Sequence, residues 1–181
     1  MNREAPLSPK QALRLCALGE LMQHGALTYG DLAQRVRDFT NHLVGPTLDM
    51  MGGSLELLRY DGLIEPVDDA PESEARLSLT DDGRKEFSAL MEQGLSTPFN
   101  ETVKLVVTLK LRFLHLLPAD WRQARAVALA RIYEQEAERL RDLREKYAGE
   151  SEHLGPWLDH DIAQYERRVA WFQDLARRLQ G

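Results

Sequence analysis

Apolar positions recur at two different spacings along this chain, and the change of spacing divides it. Behind residue 94 they settle into heptads. Ala126, Tyr133, Leu140 and Tyr147 fall seven apart, interleaved with Leu129 and Leu143. Leu158, Tyr165, Phe172 and Leu179 do the same, interleaved with Ile162, Val169 and Ala176. Such series put a narrow apolar seam on each of two helices, the pattern of antiparallel hairpins and coiled coils. The Gly149–Gly155 break, followed by Pro156, supplies the turn between them. Ahead of them the run Val103–Leu117 is apolar round most of its circumference, interrupted only by Lys104, Thr108, Lys110, Arg112 and His115. A helix that apolar needs cover on nearly all sides. One hairpin cannot supply it, so a second copy of the chain is expected to. The predicted interface between copies is Leu129, Tyr133, Leu140, Leu158, Ile162, Tyr165, Val169, Phe172 and Leu179.

The front part reads as short helical faces and two brief extended runs. Ser8-Pro9 starts a helix, Ser as N-cap and Pro in the first turn, with Leu13, Ala17, Leu18 and Leu21 as its face up to about Gly25. Thr28 caps a second helix, Tyr29–Phe39, and Asp31 stands three residues on, close to a capping box. A loop over Thr40–Pro46 leads to a third helix from Thr47, with Leu48, Met51, Leu55 and Leu58 on one inward stripe, stopping at Asp61-Gly62. The runs 63–67 and 76–79 around an acidic tip predict a β-hairpin. A fourth helix follows over Arg84–Gln93. Three helices, a hairpin and a helix make a winged helix-turn-helix. The predicted fold is therefore mainly α: a winged helix over 1–94 and a helical, coiled-coil-like dimerisation domain over 95–181.

Composition narrows the function classes. No run reaches membrane-spanning length without charges and the start lacks a signal-peptide pattern, so the expected location is the cytoplasm, with no membrane partner. The one cysteine, Cys16, excludes an internal disulfide, and among Leu13, Leu15, Ala17 and Leu18 it reads as a small buried hydrophobe. His153, Asp159, His160 and Asp161 form the chain's His/carboxylate cluster. The aspartates read as complementing a helix N-terminus, and no metal or cofactor is expected. No nucleophile–base set, phosphate-cradling glycine loop or paired-carboxylate site is present, so an enzyme is not expected.

Residues 18–32 (LGELMQHGALTYGDL), 62–65 (GLIE) and 79–83 (LTDDG) resemble the PadR family of bacterial transcriptional regulators. Residues 99–121 (FNETVKLVVTLKLRFLHLLPADW) and 171–179 (WFQDLARRL) resemble its longer, virulence-activator-type subgroup, so the likeness spans nearly the whole chain. The resemblance implies a homodimeric DNA-binding regulator, a repressor on a two-fold operator, with the third helix in the major groove. It also implies a small aromatic effector, for which Trp121, Trp157 and Trp171 are the candidate binding residues.

The sequence departs from that family where it matters most. Tyr29-Gly30 stands in place of the usual Gly-Tyr order, and Met51-Gly52-Gly53-Ser54 replaces a Tyr-Pro pair with basic residues. The outward face Asp49, Met50, Gly53, Ser54 and Leu57 holds no cation, and the wing sets Asp68, Asp69, Glu72 and Glu74 against Arg76. Residues 1–90 carry 9 Lys+Arg and 15 Asp+Glu, a balance of 9 − 15 = −6, whereas 91–181 carry 14 of each. Two readings follow. In the first, Thr47, Met50, Gly53 and Ser54 meet the bases, and Arg35, Arg37 and Arg76, helped by Lys10 and Arg14, meet the phosphates. In the second, the acidic winged helix binds a protein partner and not DNA.

Overall fold

A computed structural model describes residues 6–45, 51–71 and 74–180, with the backbone alone at 51–54. The chain is mainly helical with a small sheet, a winged-helix fold, and divides into two compact units. One comprises residues up to Gly94 together with Glu101–Leu116; the other comprises Leu95–Asn100 with Leu117–Gly181.

The first unit is built round α1 (Pro9–His24). Ser8 accepts the Gln11 N–H while the Gln11 side chain accepts the Ser8 N–H, a complete capping box with Pro9 in the first turn. From Ala12 to Leu21 only Arg14 escapes burial, so α1 is the shaft on which the rest is mounted. Gly19 is the close-approach point: a Cβ there would lie 2.2 Å from the ring of Phe113. Phe113 in turn meets Phe87 edge-to-face at 6.1 Å.

Around α1 stand α2 (Tyr29–Val44), α3 (Met51–Tyr60), α4 (Asp81–Glu92) and α5 (Glu101–Arg112). Thr28 caps α2 as expected, accepting the Asp31 N–H at 3.1 Å. The helix does not stop at Phe39. It continues through Thr40, whose buried hydroxyl bonds back to the Val36 and Arg37 carbonyls, as far as Val44. Thr80 caps α4, which begins at Asp81, earlier than the Arg84 expected. At the end of α3, Gly62 takes φ +70°, a left-handed turn that feeds the chain into the wing.

The sheet has three strands, one more than the hairpin predicted. β1 (Leu27–Thr28) pairs with β3 (Arg76–Leu79), and β3 with β2 (Ile64–Pro66), all antiparallel. The register sets Ile64 opposite Leu79 and Leu27 opposite Leu77. β1 is too short to show a period in sequence.

The cover of α5 differs from expectation. Its buried residues, Val103, Leu105, Val106, Val107, Leu109 and Lys110, are covered within a single chain, α1 and α2 packing beside it. The helix ends at Arg112 and gives way to a 3-10 turn over Leu114–Leu116. The compact units thus place 101–116 with the N-terminal residues, whereas the division expected at 94/95 placed them behind it.

The second unit is an antiparallel hairpin of α6 (Ala119–Tyr147) and α7 (Leu154–Arg178). The heptad residues meet each other inside it. Leu140, Leu158 and Ile162 form one cluster with Leu154 and Tyr165. Tyr133 stacks on Phe172 at 5.3 Å and takes Phe99 at 4.7 Å on another side. Arg141–Glu166 and Arg144–Asp159 ion pairs tie the outer faces.

Candidate nucleic-acid interface

Buried apolar contacts fix the recognition face from behind. Leu55 and Leu58, from the predicted inward stripe, are buried at 4% and 0% exposure; Leu48 lies outside the described residues. With that stripe inward, Glu56, Arg59 and Tyr60 face solvent, and Tyr60 keeps 87% of its surface. Sequence reasoning missed these three. The signal was present: the predicted outward positions 49 and 53 continue at helical spacing to 56 and 60.

Of the four candidate base-contacting residues, Thr47 and Met50 lie outside the described residues. Gly53 and Ser54 lie in α3, where only the backbone is described. The candidate phosphate contacts are better defined. Arg37 is exposed on α2 and forms no ion pair among the described residues. Arg76 donates from Nη2 to the Ala26 carbonyl at 2.8 Å, which holds it beside β1, and its N–H is met by Asp68. Arg14 is committed elsewhere, to Asp61 at 2.5 Å and Glu86 at 3.2 Å. Its charge is cancelled, and it ties α1 to the end of α3 and the middle of α4.

Arg35 belongs to a charged cluster that no sequence motif announced. Glu20, fully buried on α1, has Arg112 Nη2 at 2.5 Å, His24 Nε2 at 3.5 Å and Arg35 Nη1 at 3.9 Å. Arg112 also lies over the Phe39 ring at 4.3 Å. One buried carboxylate thereby gathers two guanidinium groups, from α2 and α5, and an imidazole from α1. Beside it, burial first and the Glu20 charge second push the Cys16 thiol up to about 12. Cys16 is an inert core residue, as expected.

Between α3 and the wing the surface folds into a groove of about 1300 Å³. Its floor is Leu55, Ile64, Ala75 and Leu77, all buried; its rim carries Tyr29, Glu56, Arg59, Tyr60 and Asp68. Burial and the Glu56 charge hold the Tyr29 hydroxyl above the ordinary range.

In the helical hairpin the three tryptophans do not come together. Trp121, Trp157 and Trp171 are exposed at 40%, 59% and 49%. Trp157 and Trp171, 171 − 157 = 14 residues apart on one helix, are separated by roughly 21 Å along it. The predicted interface residues Leu129, Tyr133, Leu140, Leu158, Ile162 and Phe172 are buried within the hairpin, with Tyr165, Val169 and Leu179 half-buried. Arg168 lies over both Tyr133 and Tyr165, at 5.6 and 5.5 Å. Asp159 is held by Arg144, which keeps its carboxyl below the usual range. Among the described residues no helix is long and apolar enough to cross a membrane, and no three His, Cys, Asp or Glu converge as a metal site.

Among solved structures the chain is similar to a PadR-like transcriptional regulator from Bacillus cereus, at 21% identity and a TM-score of 0.38, covering 93% of this chain and 98% of that one. It is similar at 18% identity to PadR from Bacillus subtilis in complex with p-coumaric acid (TM-score 0.38, 97% and 99% covered) and in complex with operator DNA (TM-score 0.36, 92% and 98%). No curated protein matches. The sequence profile of putative AphA-like transcriptional regulators matches residues 3–176, nearly the whole chain and both of its units. The chain therefore belongs to the family of putative AphA-like transcriptional regulators, a family of regulators and not of enzymes.

Proposed function

We propose that this regulator binds a two-fold DNA operator as a homodimer and represses the adjoining gene. The observation that carries the reading is the order α2–α3–β2–β3 in one compact unit, with α3 packed against α1, Leu55 and Leu58 buried on it, and a short wing beside it. In such an arrangement α3 enters the major groove and the wing lies along the backbone. Arg35, Arg37 and Arg76 supply phosphate contacts, with Lys10 at the start of α1; Thr47, Met50, Gly53 and Ser54 are the base-contacting candidates of this reading. An aromatic effector, in this reading, enters the hairpin beside Tyr133, Tyr165 and Arg168, where a cation lies over two rings. That location replaces the three dispersed tryptophans.

The test is binding to the DNA flanking the protein's own gene, measured as salt is raised. The expected outcome is sequence-specific binding whose log affinity falls linearly with log salt. A slope corresponding to about two to four phosphates per subunit is expected from Lys10, Arg35, Arg37 and Arg76. Absence of specific binding at low salt, where each cation counts most, would overturn the reading.

A further inference from the structure

We propose that the groove between α3 and the wing is a docking site for a basic, amphipathic peptide segment of a partner protein. This goes beyond DNA recognition, and it starts from charge. Glu56, Glu65, Asp68, Asp69 and Glu74 are all exposed on α3, β2 and the wing, against Arg59 and Arg76. Arg76 is already engaged by the Ala26 carbonyl. Around the groove carboxylates outnumber cations, so a lysine- or arginine-bearing segment meets complementary charge along it.

The second observation is shape. Acidic surfaces are commonly flat and fully solvated. This one flanks a groove of about 1300 Å³ whose floor is closed by Leu55, Ile64, Ala75 and Leu77. That volume exceeds the roughly 300–1000 Å³ of small-molecule pockets and suits a short stretch of chain. Tyr29 and Tyr60 stand on the rim, and aromatic faces of this kind accept both aliphatic side chains and cations. An occupant with apolar residues toward the floor and cationic ones toward Glu56 and Asp68 satisfies both features at once. β2 is one of the two terminal strands of the sheet, but Pro66 lacks an N–H there. Side chains in the groove, more than added-strand pairing, therefore hold the segment.

The experiment uses the full chain and a fluorescent twelve-residue peptide of alternating lysine and leucine, with a lysine–serine peptide as comparison. Expected is saturable binding at low salt, weakened at least tenfold in Glu56→Gln/Asp68→Asn. The exposed pair Glu138→Gln/Asp142→Asn, on α6, changes the chain's net charge equally and is expected to leave binding within twofold. Thermal melting of both variants confirms that they fold. The proposal is overturned if the two variants lose binding equally, or if the lysine–serine peptide binds as tightly, since either outcome reduces the effect to net charge. It is also overturned if Glu56→Gln/Asp68→Asn leaves peptide binding intact and tightens duplex DNA, which would assign the groove to nucleic acid.

Discussion

Glu20 has no solvent contact, yet two guanidinium groups, of α2 and α5, and the His24 imidazole of α1 reach it. A buried carboxylate is tolerated only when such partners offset its desolvation. Glu20→Gln removes the charge and leaves the three nitrogens facing one another. Because Arg112 and Arg35 are part-exposed, the loss is expected at about 2 kcal/mol, below the 3–5 typical of a wholly buried pair. Urea unfolding of the variant and the parent measures it, and equal midpoints would deny Glu20 its organising role. Cys16, one turn away, gives a pH prediction. Its folded-state pKa, about 12 against an ordinary 9.0, lies above that of the unfolded chain. The unfolded thiol releases its proton first, so stability from this group is complete below about pH 9 and falls as pH rises toward 12. Between pH 9 and 11 the parent should lose stability faster than Cys16→Ala, a difference that urea midpoints at several pH values would reveal.

Lys110 shows how an element can be read correctly and its neighbourhood missed. In sequence it interrupts an apolar helix. In the fold it is 4% exposed, and its ammonium donates to the Leu90, Met91 and Gln93 carbonyls at 2.7–3.0 Å. It closes the C-terminus of α4, where carbonyls lack intrahelical partners and the dipole favours a cation. Lys110→Met keeps the aliphatic stem but strands those carbonyls. A loss of about 1–3 kcal/mol is expected, visible as a lower melting temperature with α-helical content unchanged before the transition. The same distinction runs through the chain. Capping motifs at Ser8 and Thr28 and the stripe on α3 were legible because they are local. The continuation of α2 past Thr40 was not, since threonine is a weak helix former and its hydroxyl finds the Val36 carbonyl only once the helix exists. The periodicity of α5 revealed a helix needing cover; it held no record of which surface would provide it. Of the candidate site, the cations were legible as residue types, whereas the Glu20 cluster depends on residues 92 positions apart (112 − 20) and has no sequence pattern.

For the molecule as a whole, heptads were read as a seam between copies, and the single chain already closes that seam on itself through α6 and α7. A homodimer, which the proposed function requires, must then form with surfaces the hairpin leaves open, among them Trp157, Trp171 and Leu143. Sedimentation at micromolar concentration is expected to give about 41 kDa, from 2 × 20.7 kDa. A species of 20.7 kDa with full helix content would remove the dimer and, with it, the two-fold operator.

Residues 101–116 complete the winged-helix unit from beyond a segment, 95–100, that belongs to the other unit. On the ribosome this sets an order of events. When Gly94 has cleared the exit tunnel, every recognition element is present, but Glu20 still lacks Arg112, Gly19 lacks the ring of Phe113, and the α4 carbonyls lack Lys110. The unit can close only after about another twenty residues have emerged, one to a few seconds at ordinary elongation rates. During that interval the nascent chain displays the buried side of α1, a surface that chaperones recognise.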